Sequence, residues 1–305
     1  MEFQTLNNGI KIPVLGFGVW QIFDQKECQK AVEDALSVGF RLIDTASLYR
    51  NEEAVGRAIK ASGIPREDIF LTSKAWISQL GYEDTKLALK ETLRKLDTDY
   101  LDLYLIHQPF GDLHGAWRAM IELKHEELIR AIGVSNCFAW QIARANEIAK
   151  NNGWATFQSI QGHYNLIFRE EEREMKPYCD LMGVSMTPYS SLASGRLSRH
   201  PGETSKRLKE DAYAKGKYDE SEKEDLVIIQ RVEELAKKRN CSMSEISLAW
   251  LMSKVTSPVV GATKLSHIDT ACKTCDLKLT VEEMKYLEEC YKPHPLVGVM
   301  KENNQ

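Results

Sequence analysis

The chain has 305 residues, 43% of them apolar and 28% charged, with a formal net charge of −4 at pH 7. This is the composition of an ordinary soluble globular protein, and it gives no reason to expect nucleic acid or an anionic membrane as a partner. No apolar run approaches the roughly 18 residues of a membrane span, Met1-Glu2-Phe3-Gln4 lacks a signal-peptide pattern, and seven irregularly spaced cysteines do not resemble a disulfide framework, so a reduced, cytoplasmic protein is predicted.

Residues 3–12 carry a hairpin pattern: Phe3 and Leu6, the turn pair Asn8-Gly9, then Ile10 and Ile12 in alternation. Eight candidate buried strands follow, at 14–19, 41–44, 69–73, 101–106, 131–134, 157–161, 184–189 and 258–262. Helical patterns separate them. Cys28, Ala31, Val32, Ala35 and Leu36 form one apolar face behind a capping pair, Asp24 and Glu27, and Leu89, Leu93 and Leu96 form another. Strand–helix alternation with near-continuously apolar strands predicts a parallel sheet covered on both faces. Eight units predict a closed (βα)8 TIM barrel with an N-terminal β-hairpin, as a single domain over residues 1–305.

The seventh gap departs from this rhythm. Some thirty residues after Ser190 are rich in Gly, Ser, Lys and Glu and contain Arg196, Arg199, Arg207 and Lys215-Gly216, which reads as a long loop, functional or disordered. Helices are then predicted over 222–239, 244–254 and 280–290, the last two opened by the capping pairs Ser242/Glu245 and Thr280/Glu283.

The C-terminal ends of barrel strands build the site in such folds. Here they carry Asp44, Lys74, His107, Ser135-Asn136, Gln161 and Tyr189-Ser190, and Tyr49 follows Asp44 by five residues. Each of Asp44, Tyr49, Lys74 and His107 has an ordinary structural explanation alone; delivered to one rim, they form a proton-transfer set. A phenol ionises near pH ~10; a neighbouring Lys74 is expected to lower that value, with Asp44 holding the ammonium in place and His107 donating to a substrate oxygen. Such a tyrosine protonates a developing alkoxide, as carbonyl reduction requires, and the electrons must come from a cofactor. Trp20 and Trp76, beyond strand ends, are candidate walls of a substrate pocket. Cys272-x-x-Cys275 near His267 lies in a helical pattern and makes a weak metal motif, so no metal is expected.

Gly16-Phe17-Gly18, the Asp44…Tyr49 segment, Lys74, Asp99–His107 and Ile132–Asn136 together resemble the aldo-keto reductases, over essentially the whole chain. The resemblance implies reduction of aldehydes or ketones, small-molecule carbonyl compounds, by NADP(H) lying extended across the barrel mouth beneath the long loop. It makes Tyr49 the general acid, supported by Asp44, Lys74 and His107. Ser135, Asn136 and Gln161 match positions that bind the nicotinamide carboxamide, and Tyr189 matches the ring stacked on the nicotinamide. The Ser190–Leu197 backbone, with Leu192, Gly195 and Arg196, matches the pyrophosphate cradle. The family also accounts for the lack of a GxGxxG sequence. Many relatives hold the adenosine 2′-phosphate with a Lys-Ser pair and a later Arg; this chain has Thr263, Lys264 and His267 there. Residues up to about 136 resemble the diketogluconate-reductase branch, through Lys11–Gly18 and His107–Asp112. The remainder, with Gly162–Leu166, Arg169–Glu174 and Pro293-His294-Pro295, resembles a different bacterial branch, as a half-barrel recombinant or designed chimera joined after the fifth strand would. Two alternatives stand beside this reading. One is a catalytically idle, nucleotide-sensing subunit on the same fold, against which the intact four-residue set argues. The other is a barrel glycosidase, for which Asp44 lacks an evident second carboxylate.

Overall fold

The computed structural model describes residues 1–203 and 209–303; Arg207 lies outside the described residues. Asn8-Gly9 makes the expected turn, with Gly9 at φ 86°, a left-handed conformation that costs glycine little. It joins antiparallel strands β1 (Phe3–Thr5) and β2 (Lys11–Pro13). Leu6 and Ile12 leave this hairpin and pack against Leu42, Phe70, Leu103, Leu105 and Ala131. Burying each is worth about 1.5–3 kcal/mol, which fastens the hairpin to the barrel strands.

Eight parallel strands follow: β3 (Gly16–Gly18), β4 (Leu42–Asp44), β5 (Phe70–Ala75), β6 (Leu101–Ile106), β7 (Ile129–Ser135), β8 (Ser159–Gln161), β9 (Ser185–Met186) and β10 (Val259–Val260). They pair in the order β10-β3-β4-β5-β6-β7-β8-β9. The ring is joined where Val259 N–H donates to the Pro188 carbonyl and Thr256 and Ser257 N–H donate to that of Met186. The fold is the (βα)8 TIM barrel read from the sequence. Glycines keep β3 close to its neighbours: an added Cβ would stand 2.5 Å from Leu42 Cδ2 at Gly16 and 2.6 Å from Val259 Cγ1 at Gly18.

Strands β9 and β10 are shorter than the apolar runs 184–189 and 258–262. Pro188 has no N–H to give a ladder, and β9 stops short of it; β10 starts directly after Pro258 and ends before Gly261. Strand β7 is longer than 131–134, because Arg130 points its side chain outward from an otherwise buried strand. Helix α1 (Gln25–Val38) begins at Asp24, which accepts from Lys26 and Glu27 N–H, and buries the five predicted residues. The Ser242/Glu245 and Thr280/Glu283 boxes both form, opening helices Met243–Lys254 and Val281–Glu288. The segment after Ser190 departs from a plain loop: it contains the 3-10 turn Ala193–Ser198 and a helix, Ala212–Tyr218, capped by Asp211. Among the described residues, no helix is long and apolar enough to cross a membrane.

Candidate active site

Asp44 ends β4, Lys74 is the penultimate residue of β5, and His107 follows β6 directly. Tyr49 closes the 3-10 turn Ser47–Tyr49, whose bond from Tyr49 N–H to the Ala46 carbonyl turns the chain back over the strand ends. The four side chains meet and are buried, with Lys74 fully so. Its ammonium donates to Asp44 Oδ1 at 2.6 Å, to the Thr45 carbonyl at 2.8 Å and to Tyr49 Oη at 3.3 Å. Three acceptors match its three protons, the condition for holding a buried charge. The other Asp44 oxygen accepts from Gln161 Nε2 at 2.9 Å, tying β8 to the cluster. Thr45 escaped the sequence reading because it acts through a backbone carbonyl, which any residue supplies.

Electrostatics here differ in one respect from the expectation for Tyr49. Burial, and then the Asp44 carboxylate, push its phenol well above the usual value, rather than Lys74 bringing it down. The ammonium expected to lower it lies 2.6 Å from Asp44 and 3.3 Å from the phenol, and burial of the phenol is the larger influence. Burial lowers Lys74 itself, opposed by Asp44. Burial and the Lys74 charge hold His107 well below the ordinary histidine value, so the imidazole is neutral. Trp76 stands edge-on to His107 at 5.1 Å, and Trp20 lies 4.7 Å from the Tyr49 ring. Phe23, exposed beside Trp20, extends this aromatic rim and was not singled out from the sequence.

Across the mouth, Asn136 takes a left-handed φ of 56° and donates to Ser135 Oγ and the His107 carbonyl. Its Oδ1 accepts from Tyr189 Oη at 2.8 Å. Ser135, Asn136, Gln161 and Tyr189 thus join one network with the buried set. Beyond Tyr189 the backbone turns through left-handed Ser190, Ala193, Ser194 and Gly195. Both Gly195 and Leu197 donate their N–H to the Leu192 carbonyl. Glycine suits position 195 because its φ is 98°, a left-handed conformation strained for other residues. Arg196 donates to Asp219 and lies over the Tyr218 ring, while its Nη1 is buried with no partner among the described residues.

Thr263, Lys264 and His267 are exposed at the start of helix Leu265–Lys273, which Lys264 caps. Partial burial, and then the charges of Lys264 and Arg199, lower His267. Arg199 therefore brings a further cation to this helix start; in the sequence it was one of several loop arginines with nothing to rank it. Lys217 and Tyr213 were also missed. They belong to helix Ala212–Tyr218, and the Lys217 ammonium lies over the rings of both Tyr189 and Tyr213. A lysine in a polar loop carries no sequence mark of burial.

Residues 14–292 match the model of the Aldo/keto reductase family. The chain is 31% identical to the glyoxal reductase of Bacillus subtilis, over 94% of this chain and 92% of that protein. It is 33% identical to the versiconal hemiacetal acetate reductase of Aspergillus parasiticus, over 97% and 99%. Among solved structures, an aldo/keto reductase from Brucella melitensis superposes with a TM-score of 0.78 at 33% identity, covering 95% of this chain and 99% of that one. An aldo-keto reductase from a Medee basin deep-sea metagenome superposes with a TM-score of 0.80 at 29% identity, covering 96% of each.

Proposed function

The chain belongs to the Aldo/keto reductase family of oxidoreductases, and from that premise we propose that it reduces an aldehyde or ketone to the alcohol with NADPH, Tyr49 giving the proton. The observation that carries this reading is the buried Lys74 ammonium bonded at once to Asp44 and to the phenol oxygen of Tyr49. The cofactor, when bound, supplies hydride; the chain provides the proton and the geometry.

Tyr49 enters the reaction protonated, because burial and Asp44 oppose its ionisation. As it gives up its proton to the carbonyl oxygen, negative charge develops on an atom 3.3 Å from Lys74 Nζ, where the ammonium stabilises it. Asp44 keeps Lys74 charged and oriented. His107, neutral, donates a hydrogen bond that fixes the carbonyl oxygen beside the phenol. Trp20 and Trp76 flank these groups and exclude water from them.

The remaining residues suit an extended dinucleotide. Ser135, Asn136 and Gln161 offer amide and hydroxyl groups for a carboxamide, and Tyr189 a ring for stacking. Ser190, Leu192, Gly195 and Arg196 belong to a tight turn for the pyrophosphate, where Arg196 Nη1, without a partner among the described residues, is a donor suited to a phosphate oxygen. Lys264 and Arg199 gather positive charge at a helix start for the 2′-phosphate, with Thr263 and the imidazole of His267 as hydrogen-bonding groups beside them, which favours NADPH over NADH. The same reading takes residues 1–305 as one cytoplasmic unit. The test is the loss of NADPH absorbance when the purified protein meets a panel of aldehydes, ketones and keto-sugars. Turnover with at least one is expected. NADPH binding without turnover on any of them would replace the enzyme with a nucleotide-sensing subunit.

A further inference from the structure

Lys217 has no role in the scheme above, yet it is one of the least ordinary residues in the molecule. It is 6% exposed, and its Nζ has no hydrogen-bond partner among the described residues. In place of acceptors it has two rings, Tyr189 at 4.7 Å and Tyr213 at 4.4 Å. Burial brings its pKa down to about 7, opposed by Asp211 at the start of its helix. A buried ammonium without acceptors is costly, and ring faces return only part of what water gave.

Its surroundings belong to the same end of the barrel. Tyr189 already has His163 parallel to it at 5.6 Å and donates its hydroxyl to Asn136. Gly298 packs against Lys217 and Tyr213 from the C-terminal segment: a Cβ there would lie 3.2 Å from Lys217 Cε and 3.3 Å from Tyr213 Oη. Five residues on, Asn303 donates to the Asn136 carbonyl and to Gln141, fixing the short helix Val299–Asn303 in place. Helix Ala212–Tyr218 and the segment from Gly298 thus close over the residues that the proposed function gives to the nicotinamide.

We propose that Lys217 is a displaceable plug in the nicotinamide site: its ammonium and the nicotinamide ring compete for Tyr189, so that helix Ala212–Tyr218 withdraws as the dinucleotide enters. This rests on the functional reading above, in which Tyr189 is the stacking ring. Lys217 then sets both the affinity for the cofactor and the rate at which the site admits it, without touching the reacting atoms.

The experiment is a titration of the purified full-length protein with NADPH, followed by tryptophan fluorescence at equilibrium and after rapid mixing. Lys217→Ala removes the plug and is expected to tighten Kd roughly tenfold, about the weight of a desolvated cation–ring contact, with faster association. Lys217→Met keeps the bulk and loses the charge, and is expected to shift Kd the same way by less. Unchanged Kd and association rate in folded Lys217→Ala protein overturn the proposal. Weaker binding also overturns it, by making Lys217 a cofactor ligand. Should Lys217→Ala fail to fold, Lys217→Met decides by the same signs. A wild-type protein that binds no NADPH defeats the functional reading itself, whereas normal wild-type binding with an unmoved variant defeats only the plug.

Discussion

Two buried lysines face the same barrel mouth under opposite conditions. Lys74, on a barrel strand, has three acceptors for its three protons, one of them a carboxylate at 2.6 Å. Lys217, on a short helix in the segment after β9, has none among the described residues and rests on rings. Burial opposes the charge of both; only Lys74 has a hydrogen-bonded counter-charge at its ammonium. The near side of the mouth is therefore the better matched: Asp44, Lys74 and Tyr49 answer one another on or beside barrel strands, although His107 Nδ1 is buried without a partner among the described residues. The far side is provisional, with Arg196 Nη1 and Lys217 Nζ both buried and without a partner among the described residues. Groups that must hold one geometry through a reaction belong on the first kind of support, and groups that must rearrange around an incoming ligand on the second.

The largest effects should come from breaking the better-matched side. Tyr49→Phe removes the proton donor and is expected to lower kcat by roughly 10²–10⁴-fold. The phenol's hydrogen bond is to Lys74, so the NADPH Kd should stay within about twofold of wild type. Full turnover in this variant would end the proposed chemistry. Asp44→Asn comes next. It leaves a fully buried ammonium without its counter-charge, a change that costs about 3–5 kcal/mol when one partner of a buried pair is lost. A lowered denaturant midpoint together with a lower kcat is expected. An unchanged midpoint would show that Thr45 and Tyr49 alone suffice to hold the charge.

The near side was also the legible side. Each of its residues abuts an apolar strand run, so placing the strand placed Asp44, Lys74 and His107, and the capping pairs at Asp24, Ser242 and Thr280 fixed helix starts by local chemistry. Where legibility failed, the cause was non-local. Pro188 shortened a strand whose apolar run continues past it. The direction of the Tyr49 shift is set first by how deeply the phenol is buried and then by the Asp44 carboxylate, and sequence spacing carries neither. Lys217, Arg199 and Asn303 enter the mouth through tertiary packing of polar segments, where hydrophobic periodicity has nothing to register.

The cation group on the far side sharpens the contrast through specificity rather than rate. Lys264→Ala is expected to raise the NADPH Kd about tenfold, the worth of one charge-assisted contact, and to leave the NADH Kd nearly unchanged. Arg199→Ala should act in the same direction. Equal effects on the two cofactors would remove these residues from the 2′-phosphate and leave the preference for NADPH without its proposed cause.

The last effect is read in stability rather than in activity or affinity, and it asks whether the far side is provisional in its ionisable groups generally. Glu171, in the 3-10 turn Glu170–Glu172, packs its carboxyl against Gly162, where a Cβ would stand 2.9 Å from Oε1. Burial, then the charges of Glu174 and Glu170, push it from 4.5 up to about 8. A raised carboxyl pKa means that between these values the folded protein keeps a proton the unfolded chain releases. Stability contributed at low pH is then lost as pH rises through that window, and the loss is complete above the folded-state value. Glu171→Gln carries no such proton. Its Tm, compared with wild type, should differ little near about pH 5 and gain steadily toward about pH 8.5. An offset of the same size at both ends would assign the change to packing and show that this carboxylate does not titrate as its burial implies.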